Sequence, residues 1–310
     1  MSFSDLQGQS RAVGRLRRLL AGRRLPPALL FHGPAGVGKT MAAVEFARAL
    51  NCEAQADDAC GGCASCASAA KGLDLDLKKL DAAYQAGVLG EEPEKQQSIK
   101  IDAIRHLIKD MEMRSLSGRW KTAIVCDAHT LQVPAANALL KALEEPPPRA
   151  LWILVTARRE MLLPTILSRC HSFPFAALSG ETVAAILAAR GVPAREAAAL
   201  ADLSEGSPGR ALALWERKLP DPAGWAADPL APFKLADDLP RELHLSRPLV
   251  DDHLQRMAWH LRRAAAAGDA GASKARRAID SIDQLRRRLR SNVDPRLTLQ
   301  LAAMELQRAS

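Results

Sequence analysis

Apolar runs and amphipathic stretches alternate through the first half of the chain. Continuous apolar runs at 28–31, 122–126 and 151–156 predict buried strands, and 172–175 predicts a short fourth strand. Helix-forming composition or helical spacing of apolar residues predicts helices at 4–25, 41–50, 101–113, 135–143 and 162–169. Residues 73–97 have weak periodicity, with a loop expected at 87–94. Strands that alternate with helices favour an α/β fold with a parallel sheet covered on both faces.

The strand pattern stops near residue 175, and helices are expected from there onward. Three short helices separated by Gly- and Pro-containing turns are predicted at 181–190, 194–203 and 209–217. Prolines concentrate in 219–232, which predicts a linker, and longer helices are expected at 239–261, 279–289 and 297–306. The sequence therefore predicts three domains: an α/β domain over 1–175, a small helical domain over 176–217 and an all-α domain over 218–310.

The segment after the first predicted strand fits the phosphate-binding pattern G-x-x-x-x-G-K-[ST]. Its glycines let consecutive backbone N–H groups converge on a phosphate, and the following helix adds the positive end of its dipole. Lys39 can reach the outer phosphates of a nucleotide, and the Thr40 hydroxyl can bind Mg²⁺. A chance glycine-rich loop is the weaker alternative, because a strand precedes the motif and a helix follows it. The predicted nucleotide-phosphate site consists of Gly33, Pro34, Ala35, Gly36, Val37, Gly38, Lys39 and Thr40.

Asp127 ends the next apolar run and is the candidate metal partner of such a site. In P-loop proteins an aspartate at the end of a strand helps to hold Mg²⁺. Many nucleotide hydrolases of this type follow that aspartate with a glutamate that polarises the attacking water. This chain has Ala128 and then His129 instead, and a histidine in such a loop is expected to be structural rather than a replacement base. The missing acid predicts inefficient hydrolysis.

Length, composition and charge narrow the classes of protein only slightly. The chain has 310 residues, an aromatic content of 4% and a formal net charge of +8. This charge fits contact with nucleic acid or an acidic partner, but arginines on solvated helix faces explain it equally well. No apolar run reaches the roughly 18 residues that span a bilayer, and the first residues lack the apolar segment of a signal peptide. A cytoplasmic location is therefore expected.

Four of the six cysteines fall within a short segment, with the spacing C-x7-C-x2-C-x2-C. Disulfides are disfavoured in the cytoplasm, so clustered thiols there predict metal ligands. Four thiolates are typical of a closed, structural Zn²⁺ site, whereas an iron–sulfur cluster and unliganded thiols are the alternatives. The predicted zinc module covers about 51–72, and its ligands are Cys52, Cys60, Cys63 and Cys66.

Several motifs together resemble the clamp-loader branch of the AAA+ ATPases. They are Gly8 with Gln9, GPAGVGKT at 33–40, the four cysteines, ANALLKALEEPP at 136–147, LPTILSRC at 163–170, GSPGRAL at 206–212 and NVDPRL at 292–297. Within that branch, the whole chain is similar to the delta-prime subunits of bacterial DNA polymerase III. The combination of ALLKALEEPP with a following SRC is hard to obtain by chance.

The resemblance implies a role for several single residues. Arg169 matches the arginine finger that reaches ATP bound in a neighbouring subunit. Thr156 matches sensor 1, Arg210 matches sensor 2, and Gly8 and Gln9 lie where relatives line the adenine pocket. The resemblance also implies a helical lid and a C-terminal collar. The implied partners are gamma/tau motor subunits and a delta subunit, with the sliding clamp and primed DNA reached through the assembled loader.

Two departures from the family pattern set the expected activity. Lys39 and Thr40 are kept, unlike in delta-prime proteins with a degenerate P-loop, so ATP binding is possible. Ala128 replaces the acid of motor subunits, so we expect weak or no ATP binding by the isolated chain and negligible hydrolysis. A gamma/tau-like motor or another AAA+ remodeller is the alternative, which calls for an acid at 128 and a long C-terminal extension. A sequence-specific DNA-binding protein with structural zinc would leave the P-loop and Arg169 unexplained.

Overall fold

The computed structural model describes residues 2–22, 25–54, 57–115, 119–220, 222, 225, 228, 230–266, 272–289 and 293–309. Asn292 of the NVDPRL motif and residues 221, 223, 224, 226, 227 and 229 of the predicted linker lie outside these ranges. The contacts divide the chain into two compact units, Met1–Arg210 and Ala211–Ser310. The division into three domains stays a prediction.

The first unit is built on a parallel sheet. Within the described ranges its five strands are β1 (Ala28–His32), β2 (Leu77–Leu80), β3 (Lys121–Val125), β4 (Ala150–Thr156) and β5 (His171–Pro174). Their order in the sheet is β2-β3-β4-β1-β5, and each pair of neighbours is parallel. Strands β3 and β4 are buried along their whole length, as continuous apolar runs predict. The predicted α/β class with a parallel sheet is confirmed.

Helices connect the strands and cover both faces of the sheet. Those that begin in the first unit are α1 (Ser10–Gly22), α2 (Lys39–Leu50), α3 (Ala64–Ala70), α4 (Ala82–Leu89), α5 (Ile101–Glu112), α6 (Val133–Glu144), α7 (Pro164–Leu167), α8 (Gly180–Ala189), α9 (Ala194–Leu203) and α10 (Pro208–Glu216). Helices α5 and α6 bury Ile104 and Leu139 against Trp152 of β4 on one face. Helix α2 contacts β1, β3 and β4. Helix α2 lies on the other face of the sheet. Successive strand residues point to opposite faces, so those next to Trp152 in β4 point toward α2.

Strand β2 is not predicted from the sequence, because it lies at an edge of the sheet. Its two central residues, Lys78 and Lys79, are polar, and Leu80 is the fully buried one. The two lysines form ion pairs with Asp110 and Asp81. Lysine is a common residue on edge strands, where it opposes pairing with another chain. A strand of this composition has no clear apolar period.

Two local predictions in the first unit are wrong. The loop expected at 87–94 is helical through Leu89, and α4 ends at Gly90, whose φ of +68° suits glycine. The helix expected at 162–169 is reduced to the four residues of α7. Pro164 opens that helix and lacks the N–H that a longer helix would use, so the preceding residues stay outside it.

The second unit is helical in its described residues. Its helices are α11 (Ala231–Asp237), α12 (Leu243–Ala266), α13 (Ala272–Leu289) and α14 (Pro295–Ala309). Helices α12, α13 and α14 pack around a core that contains Leu254, Ile282 and Leu299. Helix α11 occupies the end of the predicted linker, where Pro232 is tolerated in the first helical turn. Among the described residues, no helix combines the length and the apolar character needed to cross a membrane.

Candidate functional site

The carboxyl end of the sheet gathers the residues predicted for the nucleotide site. The P-loop, residues 33–40, starts directly after β1. His32 of β1 pairs in register with Thr156, the last residue of β4. Strand β3 pairs in parallel with β4, so that Asp127, two residues beyond the end of β3, is level with Thr156. Open α/β sheets bind ligands in the crevice outside these strand ends.

Two P-loop glycines have positive φ where the chain is tightly packed. Gly33 has a φ of +139°, and a Cβ there would lie 2.0 Å from the carbonyl oxygen of Phe175. Gly36 has a φ of +70°, and its Cβ would lie 2.4 Å from Oγ of Ser207. Both positions therefore require glycine, for conformation and for space. The curve they permit leads the chain into α2, which begins at Lys39.

The Lys39 ammonium lies inside the P-loop. It is 6% exposed, and its Nζ donates to the carbonyl oxygen of Gly33 at 2.7 Å and to that of Pro34. Burial lowers the pKa of Lys39 to about 8, and the nearby Asp127 carboxylate acts in the opposite direction. A buried ammonium held by neutral carbonyl groups is a group that a phosphate would stabilise further.

Asp127 and Ala128 differ in what they offer to this site. Asp127 adopts the left-handed conformation, with a φ of +46°, and its exposed carboxylate acts on the pKa of Lys39. Its carbonyl oxygen accepts the N–H and the hydroxyl of Thr130, at 2.8 and 2.9 Å. Ala128 is completely buried in the core beneath the sheet. The position directly after Asp127 is therefore an apolar core position.

Two histidines lie beside the strand ends. The Thr156 hydroxyl accepts the N–H of Arg158 at 3.0 Å and lies 3.2 Å from Nδ1 of His129. Burial, followed by the positive charge of Arg158, lowers the pKa of His129. Burial also lowers the pKa of His32, with smaller effects from Arg159 and Lys39. Both shifts favour the neutral imidazole, and the His129 ring lies against the Thr156 hydroxyl.

Gln9 contacts the P-loop, and Gly8 precedes it in the chain. The Gln9 amide donates to the carbonyl oxygens of Val37 and Ala176, at 3.3 and 2.7 Å, and accepts the N–H of Ala176 at 3.3 Å. A Cβ on Gly8, whose φ is +74°, would lie 2.8 Å from Cγ of Leu178. Gln9 thus ties the P-loop to the chain that follows β5. The role of both residues in an adenine pocket stays a prediction.

The turn before α10 packs directly on the P-loop. The N–H of Gly209 donates to the carbonyl oxygen of Gly36 at 3.0 Å. A Cβ on Gly36 would also lie 3.1 Å from the backbone nitrogen of Arg210, which donates to Oγ of Ser207 at 3.1 Å. The backbone of Arg210 therefore starts beside the P-loop. The contact of its guanidinium with a nucleotide stays a prediction.

The four clustered cysteines form a second candidate site. The Sγ atoms of Cys52, Cys60, Cys63 and Cys66 all lie within 4.8 Å of one another. The N–H of Cys60 bonds to Sγ of Cys52 at 3.3 Å, and that of Cys66 bonds to Sγ of Cys63 at 3.4 Å. Bonds from the N–H groups of Glu53 and Cys66 lower the pKa of Cys63 to about 6. The predicted cluster is confirmed, and its four soft donors fit a closed metal site.

This cysteine cluster is attached to three parts of the first unit. The side chain of Asn51, at the end of α2, exchanges two hydrogen bonds with the backbone of Trp120, at 2.8 and 3.0 Å. Asp58 accepts the N–H of Phe3 at 3.2 Å and pairs with Arg17 of α1 at 3.1 Å. A metal bound by Cys52, which follows the end of α2, and by Cys66 of α3 would join these two helices.

Arg169 lies at the other end of the sheet. It precedes β5, whose first residue, His171, pairs with Leu29 near the start of β1. The P-loop follows the end of β1, so about four residues of strand, roughly 13 Å, separate the level of Leu29 from the P-loop. The Arg169 guanidinium forms an ion pair with Glu144, with 2.5 Å between Nη2 and Oε1. The structure thus groups the P-loop, Asp127 and Thr156 and leaves Arg169 apart from them.

Two residues, the ion-pair partner of Arg169 and one histidine beside the P-loop, are not among those predicted from the sequence. Glu144 ends α6, and negative charge is unfavourable at the carboxyl end of a helix. An acidic residue in that unfavourable position could have indicated that Glu144 pairs with a cation elsewhere. His32 directly precedes Gly33, and its position at the end of a parallel strand could have indicated a place beside the nucleotide.

These features define a class of protein. A parallel sheet in the order β2-β3-β4-β1-β5, a P-loop after β1 and an aspartate after β3 are the AAA+ form of the P-loop fold. The family described as DNA polymerase III, delta subunit, matches residues 8–179, which is more than half of the chain. The chain belongs to this family.

Curated relatives agree with that family. The DNA polymerase III subunit tau of Bacillus subtilis is 35% identical over 182 residues, which are 58% of this chain and 30% of the relative. The gamma/tau subunit of Mycobacterium tuberculosis is 37% identical over 190 residues, or 60% of this chain and 31% of the relative. The chain thus matches about a third of the length of these relatives. The resemblance to the clamp-loader family is confirmed, without a distinction between its subunits.

A solved structure agrees with the fold. The gamma subunit-related protein of DNA polymerase III from Thermotoga maritima superposes with a TM-score of 0.59 at 16% identity. The match covers 96% of this chain and 98% of that protein. At this level of identity, the likeness supports the fold.

Proposed function

We propose that this chain is a delta-prime-type clamp-loader subunit of a bacterial DNA polymerase III holoenzyme. In this proposal it works in the cytoplasm beside gamma/tau motor subunits and a delta subunit, and helps to load the sliding clamp onto primed DNA. Its own ATPase activity is little or none, and Arg169 completes the ATP site of a neighbouring motor subunit. The observation that carries the proposal is the position of Arg169, at the opposite end of the sheet from its own P-loop.

The chemistry of Arg169 suits action on another subunit. A guanidinium keeps its charge at all relevant pH values and can bind two phosphate oxygens at once. Its side chain is 36% exposed, so a partner can approach it. Across the length of β1, it cannot touch a phosphate in its own P-loop. A cation in this position serves ATP hydrolysis when it is supplied in trans.

The chain's own P-loop supports weak nucleotide binding and negligible turnover. Thr40 and Asp127 would hold Mg²⁺, Lys39 the outer phosphates, and Thr156 and Arg210 would act as sensors. A nucleotide must first displace the bonds from Lys39 to the loop carbonyl groups. The position after Asp127 is the buried Ala128, which offers no acid to a water molecule.

The cysteine cluster is proposed to hold one structural Zn²⁺. Four thiolates leave no open coordination position on a tetrahedral ion, so the metal would stabilise rather than catalyse. The hydrogen bonds of Asn51 and Asp58 to neighbouring elements support that structural role.

A motor subunit of the same loader is the second candidate. It is favoured by the retained Lys39 and Thr40 and by the relatives, which are tau and gamma subunits. Ala128 argues against it, because an efficient motor needs an acid there.

The experiment that tests the proposal uses the assembled loader, reconstituted with its motor and delta subunits. Arg169→Ala should lower the ATPase rate stimulated by primed DNA by about a thousandfold or more, while assembly survives. Arg195→Ala, which removes an exposed arginine of α9, is the matched control and should leave the rate unchanged. An unchanged rate with Arg169→Ala rules out the finger. ATP turnover by the isolated chain at motor rates would instead favour the second candidate.

A further inference from the structure

The guanidinium of Arg169 is held by three contacts from its own chain. Its Nη2 lies 2.5 Å from Oε1 of Glu144. Its Nη1 donates to the carbonyl oxygen of Thr165 at 3.0 Å and lies 3.4 Å from Oγ of Ser168. A long, flexible side chain at the surface is therefore fixed in one orientation.

The groups that hold Arg169 stand on well-packed elements. Glu144 is the last residue of α6 and follows Leu143, which is buried in the core of the first unit. Thr165 belongs to α7 and precedes Ile166, which is buried in the same core cluster. Helices α6 and α7 are in contact. Contacts made from rigid elements hold a side chain more accurately than contacts made from loops.

The ion pair has little value for stability. The Arg169 and Glu144 side chains are 36% and 48% exposed, and pairs between exposed side chains contribute little to the free energy of folding. The Glu144 carboxylate also lies at the carboxyl end of a helix, where the dipole disfavours it. A local arrangement that folding does not favour is expected at functional sites.

The three contacts leave part of the guanidinium available. An arginine carries five N–H donors, and three contacts use at most three of them. Two donors remain, which is the number that a fork on two phosphate oxygens requires. Glu144 therefore holds Arg169 without consuming its capacity to bind a phosphate.

We infer that Glu144 is a positioning residue, which orients Arg169 toward the γ-phosphate of ATP in the neighbouring subunit. The inference rests on the proposed function, since it gives Glu144 a task only if Arg169 acts in trans. A finger fixed before the phosphate arrives avoids reorganisation during the reaction, and small errors in such a position lower the rate strongly.

The test compares Glu144→Ala, Glu144→Gln and the control Glu145→Ala in the reconstituted loader with primed DNA and clamp. Glu145 is adjacent and exposed, and within the described ranges no ion pair is seen for it. Glu144→Ala should lower kcat about tenfold with an unchanged KM for ATP, because Arg169 acts mainly on charge in the transition state. Glu144→Gln keeps an acceptor oxygen and should lower kcat about threefold, whereas Glu145→Ala should match the wild type.

Two further measurements separate positioning from other roles. Assembly and thermal unfolding should be unchanged in Glu144→Ala, since a structural role would move both. A kcat equal to that of Glu145→Ala, or higher than wild type, overturns the inference. Arg169→Ala is measured in parallel. If it is inactive while Glu144→Ala is normal, the inference fails and the proposed function stands. If Arg169→Ala keeps the wild-type rate, both fail.

Discussion

The two ends of the parallel sheet present opposite kinds of cation. At the carboxyl end, Lys39 is buried, bonded to the P-loop carbonyl groups and shifted to a pKa of about 8. At the amino end, Arg169 is exposed and held by the carboxylate of Glu144. Lys39 is enclosed by its own chain, whereas Arg169 is oriented but open to a partner.

This difference indicates where each end of the sheet would act. The carboxyl end has the P-loop and the buried Lys39, with the buried Ala128 directly after Asp127. The amino end has the exposed guanidinium of Arg169 but no P-loop within reach. On the proposed function, Arg169 completes a site whose P-loop lies on another subunit, whereas the P-loop of this chain binds nucleotide weakly and contributes little turnover.

The largest expected effect comes from removing each of the two cations in turn and testing both variants in two assays. In the reconstituted loader, Arg169→Ala should lower the DNA-stimulated ATPase rate by about a thousandfold, and Lys39→Ala should change it by less than about twofold. Nucleotide titration of the isolated chain should give the reverse result. Lys39→Ala abolishes the weak binding that is present, and Arg169→Ala leaves it intact.

The crossed design contains its own control, because each variant is tested in the assay where it should be silent. Equal losses of loader ATPase in both variants would mean that the P-loop of this chain is itself a working site. The comparison between the two ends would then be wrong.

The second prediction concerns the cysteine cluster, which lies where α2 ends, while the P-loop lies where α2 begins. The wild-type chain should contain about one zinc equivalent, and Cys63→Ser should contain none. Loss of the metal should lower the free energy of unfolding by about 3 kcal/mol or more, with nucleotide binding retained. Metal analysis and urea unfolding measure both effects. Cys170→Ser, outside the cluster, is the control, and its loss of zinc would contradict the ligand set.

The parts of the fold that sequence predicts well are those with an unambiguous apolar pattern. Strands β3 and β4 are buried along their whole length, and most of their residues are apolar, although β3 begins with the buried Lys121 and Thr122. Strand β2 has charged central residues because it forms an edge, and its partners Asp81 and Asp110 are set by tertiary structure. The end of α4 depends on the positive φ of Gly90, which a composition-based prediction of a loop does not resolve.

For the candidate site, motifs predict residue types, whereas their spatial relation depends on strand order. The P-loop and Asp127 are recognisable from their spacing to apolar runs. That Arg169 lies at the far end of the sheet follows from the parallel pairing of β1 with β5. The ion pair of Arg169 with Glu144 joins the ends of two helices, and their packing is not encoded in either motif.

The third prediction uses two glycines that share a backbone conformation. Gly36 and Gly72 have φ values of +70° and +69°. A Cβ on Gly36 would meet Ser207 at 2.4 Å, whereas among the described residues nothing lies within 4 Å of one on Gly72. Gly72→Ala should lower the free energy of unfolding by about 1 kcal/mol, because of its backbone conformation alone. Gly36→Ala should lower it by about 2–3 kcal/mol and should also weaken nucleotide binding. Urea unfolding measures the free energy of unfolding of both variants. Equal losses would show that the turn at Ser207 moves away from the added Cβ without a penalty.

The smallest expected effect is a pH dependence specific to the buried end. Burial lowers the pKa of Lys39 to about 8, so that above this pH the free protein holds a neutral amine. A bound phosphate favours the ammonium, so binding then takes up a proton. Nucleotide affinity should therefore fall above about pH 8, by up to about tenfold per pH unit. Lys39→Arg keeps its charge and should flatten the profile. If nucleotide affinity depends on pH in the same way in both proteins up to about pH 9, the Lys39 amine stays protonated. Lys39 and Arg169 would then differ in exposure but not in charge.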